Sequence, residues 1–299
     1  MDSETLVGRI VDGFDAMAPQ VQAAARFVLD YPEDVAMLSM REQARRAGVP
    51  PVTMIRLARR VGFTGYEEFR GIFAAALRQP SRRFSDRAGA LQARQKQGGD
   101  EVLLDQVTGV LSAEVSSLVP RNKPPSWIAA ARALEGARRV YCLGLRSCYP
   151  VAFHIHYILG LFRDNAVLLD GAGDTGMDVL RHIGKDDALL AVSVAPYTAA
   201  SLEMVRFAAR KGATLVAITD SRVAPLAKLA THTLLVPTAT PSFFHAITPA
   251  FAAAETLAAL VAAHGGAQAL AALRNSEEQL SAFNTYWPPR RKKTRKIES

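Results

Sequence analysis

Three clusters in this 299-residue sequence have residue types that could do chemistry. The first is Thr53, Arg56, Arg59 and Arg60, hydroxyl and guanidinium groups at helical intervals. Side chains near the start of such a helix can reach base edges, while arginines fix phosphates. The second is a pair of loops, Gly144-Leu145-Arg146-Ser147-Cys148 and Ser193-Val194-Ala195-Pro196-Tyr197-Thr198. Each lies between an apolar run and a helical stretch, where free backbone N–H groups would point at an anion. Ser147, Ser193 and Thr198 could add hydroxyls, and Arg146 a bidentate cation. Thr198 has a plainer reading as the N-cap of the helix that follows. The third cluster is the run Arg290-Arg291-Lys292-Lys293-Thr294-Arg295-Lys296. Such a run is a disordered solubilising end or a non-specific contact for nucleic acid.

Other chemistries are disfavoured. Cys142 and Cys148 are the only cysteines, so there is no disulfide framework and no four-ligand zinc spacing, and a reducing cytoplasm is the expected location. His154 and His156 are two apart, whereas helical zinc pairs stand three or four apart. No GxGxxG, Walker loop or G-x-S-x-G elbow occurs, so neither a dinucleotide nor any other cofactor is expected, and no metal. The N-terminus lacks the basic start and apolar run of a secretory signal. The most apolar window, Ala246 to His264, carries Pro249 and Glu255 and reads as a buried core helix, not a membrane span.

The first cluster needs a scaffold of helices, and the sequence supplies one. Apolar positions recur every three or four residues from Pro19 to Leu77. Val21, Ala24, Ala25, Val28 and Leu29 share one face of a helix that ends at Tyr31-Pro32. Ser39-Met40-Arg41-Glu42 has capping-box spacing and opens a helix that stops at Gly48. Prolines 50 and 51 open the next, which runs to about Val61. Its inner stripe is Met54, Leu57, Ala58 and Val61, leaving Val52, Thr53, Arg56, Arg59 and Arg60 outward. A second capping box is Thr64-Gly65-Tyr66-Glu67. Two helices joined by a tight glycine turn have helix-turn-helix dimensions, though an ordinary helical hairpin with solvated arginines has the same pattern.

Residues 80–99 are poor in large apolar side chains and close on Gly98-Gly99, which reads as a linker, in part helical. One amphipathic helix is expected over 101–119. Beyond Trp127, strands (Val140–Leu143, Val167–Leu169, Leu189–Val194, Leu215–Ile218, Leu234–Val236) alternate with helices (Tyr149–Leu161, Ala199–Arg210, Ala224–Ala230). That rhythm predicts a parallel sheet covered on both faces, with ligands at the carboxyl ends of its strands. A 49% apolar, 21% charged composition of this length accommodates two cores. The net charge of +8 is uneven: residues 100–286 hold 15 Lys/Arg against 16 Asp/Glu, residues 1–99 hold 15 against 11, and the tail from Trp287 holds 6 against 1. Basic ends around a neutral middle suit an anionic polymer.

The two halves together resemble the RpiR family of bacterial transcription regulators, which join a helix-turn-helix domain to a sugar isomerase (SIS) domain. The carrying residues are Ala44, Ala47-Gly48-Val49, Thr53, Arg56, Arg59-Arg60-Val61-Gly62-Phe63 and Gly65-Tyr66-Glu67-Glu68-Phe69-Arg70. Pro50 stands where the family has serine, and Leu57 where it has an aromatic. The resemblance implies a helix-turn-helix domain over 1–79, a linker over 80–100, a flavodoxin-like parallel-sheet SIS domain over 101–287 and a basic tail over 288–299. It implies double-stranded DNA as partner through Ser39, Arg41, Pro51, Val52, Thr53, Arg56, Arg59 and Arg60, and a homodimer or homotetramer. It also implies a small anionic effector, a phosphorylated sugar, held by Gly144, Arg146, Ser147, Cys148, Ser193 and Thr198. The loops depart from the family's G-x-G-x-S and S-x-S-G-x-T patterns at Arg146, Cys148, Ala195 and Pro196, so the site could be rebuilt around Arg146 or reduced to an oligomerisation platform. The competing class is a sugar-phosphate isomerase, for which Glu203, His245 and Glu255 are the general-base candidates.

Overall fold

The computed structural model describes residues 3–78, 84–170 and 175–287. The chain divides into two compact units. One contains the N-terminal helices through Arg121 together with Thr219–Lys228 and Leu235–Pro249; the other contains Asn122–Ile218, Leu229–Leu234 and the residues from Ala250 onward.

Six helices open the first unit: α1 (Ser3–Asp12), α2 (Pro19–Asp30), α3 (Pro32–Met37), α4 (Met40–Arg46), α5 (Pro51–Arg60) and α6 (Tyr66–Arg78). The stripes read from the sequence are the ones that pack: Ala24, Ala25 and Val28 from α2, with Met54, Leu57 and Ala58 from α5, are sealed from solvent. Helix α1 was not anticipated, yet its Leu6 and Ile10 lie fully inside the same core. Gln43 on α4 is buried but satisfied. Its Nε2 donates to the carbonyls of Val35 (2.9 Å) and Leu38 (2.8 Å), and its Oε1 accepts from the Tyr66 hydroxyl of α6. One amide thus ties three segments together, in a low-dielectric site that pushes the Tyr66 hydroxyl above its ordinary range by burial.

The capping boxes form differently from expectation. Ser39 accepts from the Glu42 backbone N–H, but the Glu42 carboxylate turns to Arg45 and Arg46 instead of reaching back. At the other box it is Glu68, not Glu67, that accepts from the Thr64 N–H and hydroxyl, while Glu67 pairs with Arg70.

The stretch read as a linker is helical from Phe84: α7 spans Phe84–Ser116 and breaks at Gly99, whose φ of 76° only glycine adopts readily. Its first half grips the segment after the last strand. Arg87 donates to the carbonyls of Ser242 and Phe244, Arg94 to that of Pro241, and Phe84 stacks on Phe244. The short α8 (Leu118–Arg121) follows.

The second unit begins with α9 (Pro124–Glu135) and then alternates as expected: β1 (Val140–Gly144), α10 (Tyr149–Gly160), β2 (Ala166–Leu169), β3 (Ala188–Val192), α11 (Ala199–Arg210), β4 (Thr214–Thr219) and β5 (His232–Leu235). The strand order is β2-β1-β3-β4-β5, the flavodoxin-like order, and β1 pairs in parallel with β2 and β3, as does β3 with β4. Strands β1 and β3 are buried along their whole length, which explains their unbroken apolar runs. The helix expected over Ala224–Ala230 is instead a series of turns. Helix α12 (Thr248–His264) buries Ala250, Ala253, Ala254, Leu257, Ala258 and Val261, and α13 (Gly266–Ala282) follows. Among the described residues no single helix is long and apolar enough to cross a membrane.

If Gln43 is the bracket of the helical core, Gln43→Ala should lower its stability by about 2–3 kcal/mol, since two carbonyls and a phenol lose their partner in the interior. Urea unfolding followed by circular dichroism would show this, and a loss below about 0.5 kcal/mol would count against the bracket.

Candidate functional site

Helices α4 and α5 meet through Ala47-Gly48-Val49-Pro50. Gly48 has φ 67°, and the Val49 N–H closes onto the Ala44 carbonyl at 3.0 Å. Val49 is buried and Pro51 takes the first turn of α5, so the second helix leaves the first at a fixed place. The inner stripe of α5 then decides what faces outward. Pro51, Val52, Arg56, Arg59 and Arg60 are exposed, as are Ser39 and Arg41 at the start of α4.

Thr53 is the exception. It is 1% exposed and its hydroxyl has no hydrogen-bond partner. It stands four residues before Leu57 and so shares the buried face, which corrects the outward placement expected from the sequence. In this conformation its side chain packs in the core and cannot reach a base edge.

The arginines differ in how far they are occupied. Arg45 and Arg46 both hold the Glu42 carboxylate, at 2.6 and 3.0 Å, and Arg46 also reaches Asp34 at 2.8 Å. Those two hydrogen bonds keep the Glu42 carboxyl at about 2. Arg60 donates to the Ala16 carbonyl at 2.6 Å. Among the described residues, Arg41, Arg56 and Arg59 have no such partner. Val52, Arg56 and Arg59 recur at i, i+4 and i+7, one exposed stripe carrying two unpaired guanidinium groups.

The second unit brings together the other predicted cluster. Gly144, the last residue of β1, is in register with Val192, the last of β3, so both loops leave neighbouring strands at one level. The chain runs from β1 outward to β2 on one side and returns to β3 on the other, which makes this the point where strand order reverses. Two 12-residue helices, α10 and α11, begin from these loops. Gly144 has no substitute: a Cβ there would stand 2.3 Å from the Cys148 carbonyl oxygen and 2.9 Å from the Ala152 Cβ. The glycine therefore lets the start of α10 close on the strand end.

Arg146 occupies φ 55°, the left-handed region that disfavours side chains, and is exposed. This accounts for the glycine that the resembling family carries there. Ser147 is half-buried, Cys148 and Ser193 are buried, and Thr198 stands at the N-cap of α11, making no side-chain capping bond. Ser201, in the first turn of α11, is buried with an unpartnered hydroxyl, a feature its position within an ordinary helical stretch did not announce. Cys142, inside β1, is pushed up to about 12 by burial and is no nucleophile.

The three general-base candidates are not assembled by what surrounds them. Glu203 pairs with Arg206 at 2.7 Å on the exposed side of α11, and Glu255 pairs with His154 at 2.9 Å. His245 stacks on Phe244, and burial, with Arg87 nearby, lowers its pKa. The basic tail over 288–299 lies outside the described residues.

Residues 133–260 match the family model for the SIS domain, and this part of the chain is a SIS domain. Over 229 residues the chain is 24% identical to an uncharacterized HTH-type transcriptional regulator of Caldanaerobacter subterraneus subsp. tengcongensis, covering 74% of this chain and 76% of that one. It is 28% identical over 239 residues, 78% of its length, to the bifunctional protein glk of Paraburkholderia xenovorans, and spans about a third (35%) of that relative. Among solved structures, the sugar isomerase domain of an RpiR transcription factor from Sphaerobacter thermophilus is 26% identical with a TM-score of 0.56, covering 59% of this chain and 98% of that one. The Vibrio vulnificus NanR protein complexed with ManNAc-6P shares the fold at 18% identity and TM-score 0.53, covering 93% of this chain and 99% of that one.

Because Thr53 is a core residue, Thr53→Val should leave stability equal or up to about 1 kcal/mol higher, as an unpartnered hydroxyl is replaced by a methyl. Melting curves of variant and parent would check this; a loss of more than about 1 kcal/mol would show that the hydroxyl has a partner in the interior.

Proposed function

We propose that the chain, built like the RpiR family from a helix-turn-helix domain and a SIS domain, is a cytoplasmic transcriptional regulator of a metabolic operon. Its α5 enters the major groove, and its SIS domain responds to a small anionic metabolite. The observation that carries the reading is the unpaired, exposed pair Arg56 and Arg59 on a helix whose other face is locked in a core, while neighbouring arginines are occupied internally. Arg56 and Val52 face base edges. Arg59 and Arg41 bind phosphates, with Ser39 and Pro51 lying where the backbone passes. Arg60 contributes less, because its guanidinium already holds the Ala16 carbonyl. The 288–299 tail adds sequence-independent, salt-dependent attraction.

The effector site is the crevice at the ends of β1 and β3. Backbone N–H groups at the starts of α10 and α11 favour an anion there, and Ser147, Cys148, Ser193 and Thr198 line the loops. The phosphorylated sugar named for the NanR structure supports a sugar phosphate as the effector class. Arg146, where the family has glycine, extends the site's demand for negative charge. In this reading the domain works without turnover, with Glu203 and Glu255 held in ion pairs.

Arg56→Ala should weaken binding to the selected duplex by about 10–100-fold (~1–3 kcal/mol) and relax preference at one position. Arg59→Ala should weaken all sequences alike and lower the salt slope by about 1, whereas Arg45→Ala, already paired to Glu42, should change affinity less than about 3-fold. Fluorescence anisotropy over a salt series reads all three, and an Arg56/Arg59 double variant that is folded and binds as the parent does would refute the interface. Arg146→Ala or Ser193→Ala should leave DNA binding by the free protein intact and abolish its response to sugar phosphates. Calorimetry that finds no sugar phosphate binding to the parent would favour the oligomerisation platform, and measurable isomerase turnover would favour the enzyme.

A further inference from the structure

Helix α13 ends in a turn that presents aromatic rings. Asn284 takes φ 49°, the left-handed region that asparagine tolerates better than most residues, and the helix stops there. The Asn284 N–H returns to the Ser281 carbonyl and the Thr285 N–H to the Leu280 carbonyl, both at 3.0 Å, a paired closure that fixes the direction in which the chain leaves. Tyr286 then hydrogen-bonds Tyr157 of α10. Three rings within five residues nevertheless stay in water: Phe283 is 75% exposed, Tyr286 65% and Trp287 92%. Scattered surface aromatics need no explanation, but a group of them marks an interaction site. In the sequence they are followed, after Pro288-Pro289, by six cations in the seven residues Arg290–Lys296.

We infer that Phe283, Tyr286 and Trp287, with the cations that follow them, bind single-stranded DNA. A run of cations suits a polyanion, and exposed rings suit flat partners. Unpaired bases on a phosphate backbone supply both, since bases stack on aromatic rings while phosphates meet arginine and lysine. A duplex supplies only one. Its base faces are hidden in the stack, and its grooves offer edges alone. An anionic membrane is a plane, and exposed Glu277 and Glu278 stand on α13 within two turns of Phe283, where a plane of like charge would meet them and a single strand need not. The inference does not rest on α5, whose proposed partner is the duplex.

Trp287 supplies its own signal, because the other tryptophan, Trp127, is buried. An oligothymidylate of about 15 nucleotides added to the full chain should quench Trp287 emission, and an abasic strand of equal length, which keeps the phosphates, should bind at least about 10-fold more weakly. Tyr286→Ala with Trp287→Ala should weaken thymidylate binding at least about 10-fold and duplex binding less than about 2-fold, both read by fluorescence anisotropy. Trp287→Phe, which keeps a ring, should stay within about 3-fold of the parent. Deleting residues 288–299 should lower the single-strand salt slope by up to about 4, at roughly 0.7 per cation. The substituted side chains lie in solvent, so these variants should keep the parent's circular dichroism. The inference is overturned if the abasic strand binds as well as thymidylate, or if the double variant binds thymidylate as the parent does. An oligouridylate bound more than about 10-fold tighter would make the partner RNA, and a blue shift of Trp287 with phosphatidylglycerol vesicles but no response to thymidylate would make it a lipid surface; either overturns it too. Failure here leaves the α5 reading standing, because Arg56 and Arg59 are tested on duplex.

Discussion

The burial of one side of α5 is the constraint from which the N-terminal half follows. Met54, Leu57 and Ala58 are sealed in the core, and a helix fixed along that line has no freedom to choose which residues face water. Val52, Arg56 and Arg59 are outward because those three are inward, and Thr53 is lost to the interior for the same reason. The surroundings sharpen the outcome. Gln43 holds α4 against the segment before it and against α6, and Glu42 and Asp34 neutralise Arg45 and Arg46. Among the described residues, Arg56 and Arg59 on the outward stripe of α5 have no ion-pair partner.

In the second unit the equivalent constraint is steric. The start of α10 comes so close to the end of β1 that only glycine fits at 144, and the register of β1 with β3 sets the second loop beside the first. The starts of α10 and α11 and the loops before them are thereby fixed by the fold itself. For a ligand there to act on DNA binding it must prefer one arrangement of the chain over another. The grip of Arg87 and Arg94 on the carbonyls of Pro241, Ser242 and Phe244 gives α7, which follows the N-terminal helices in sequence, a firm hold on the segment after β5. A change in that segment would be felt by the helix.

Much of this was legible in the sequence where periodicity and punctuation speak. Strand positions, the α4–α5 turn and the inner stripe of α5 followed from apolar spacing, Gly48 and the prolines at 50 and 51. Less was legible where a residue lies at the margin of a face. Thr53 is polar and precedes an apolar residue, so spacing placed it outside, and only packing reveals that the interior extends to it. Glu42 and Glu68 show that capping spacing identifies a helix start but not the carboxylate's partner, since Arg45 and Arg46 compete for one and the Thr64 hydroxyl attracts the other. Residues 80–99 looked like a linker because they lack large apolar side chains, yet α7 is held there by arginine-to-carbonyl bonds that hydropathy does not register.

Hydrogen–deuterium exchange of the full chain, alone and bound to a duplex enriched from a random pool, tests the central claim most directly. The account predicts slowed exchange across Ser39–Arg41 and Val52–Arg60 on binding, with the β1 and β3 loop segments unchanged. Enrichment of no duplex, or protection confined to the sheet-bearing unit while α4 and α5 exchange as in the free protein, would contradict it.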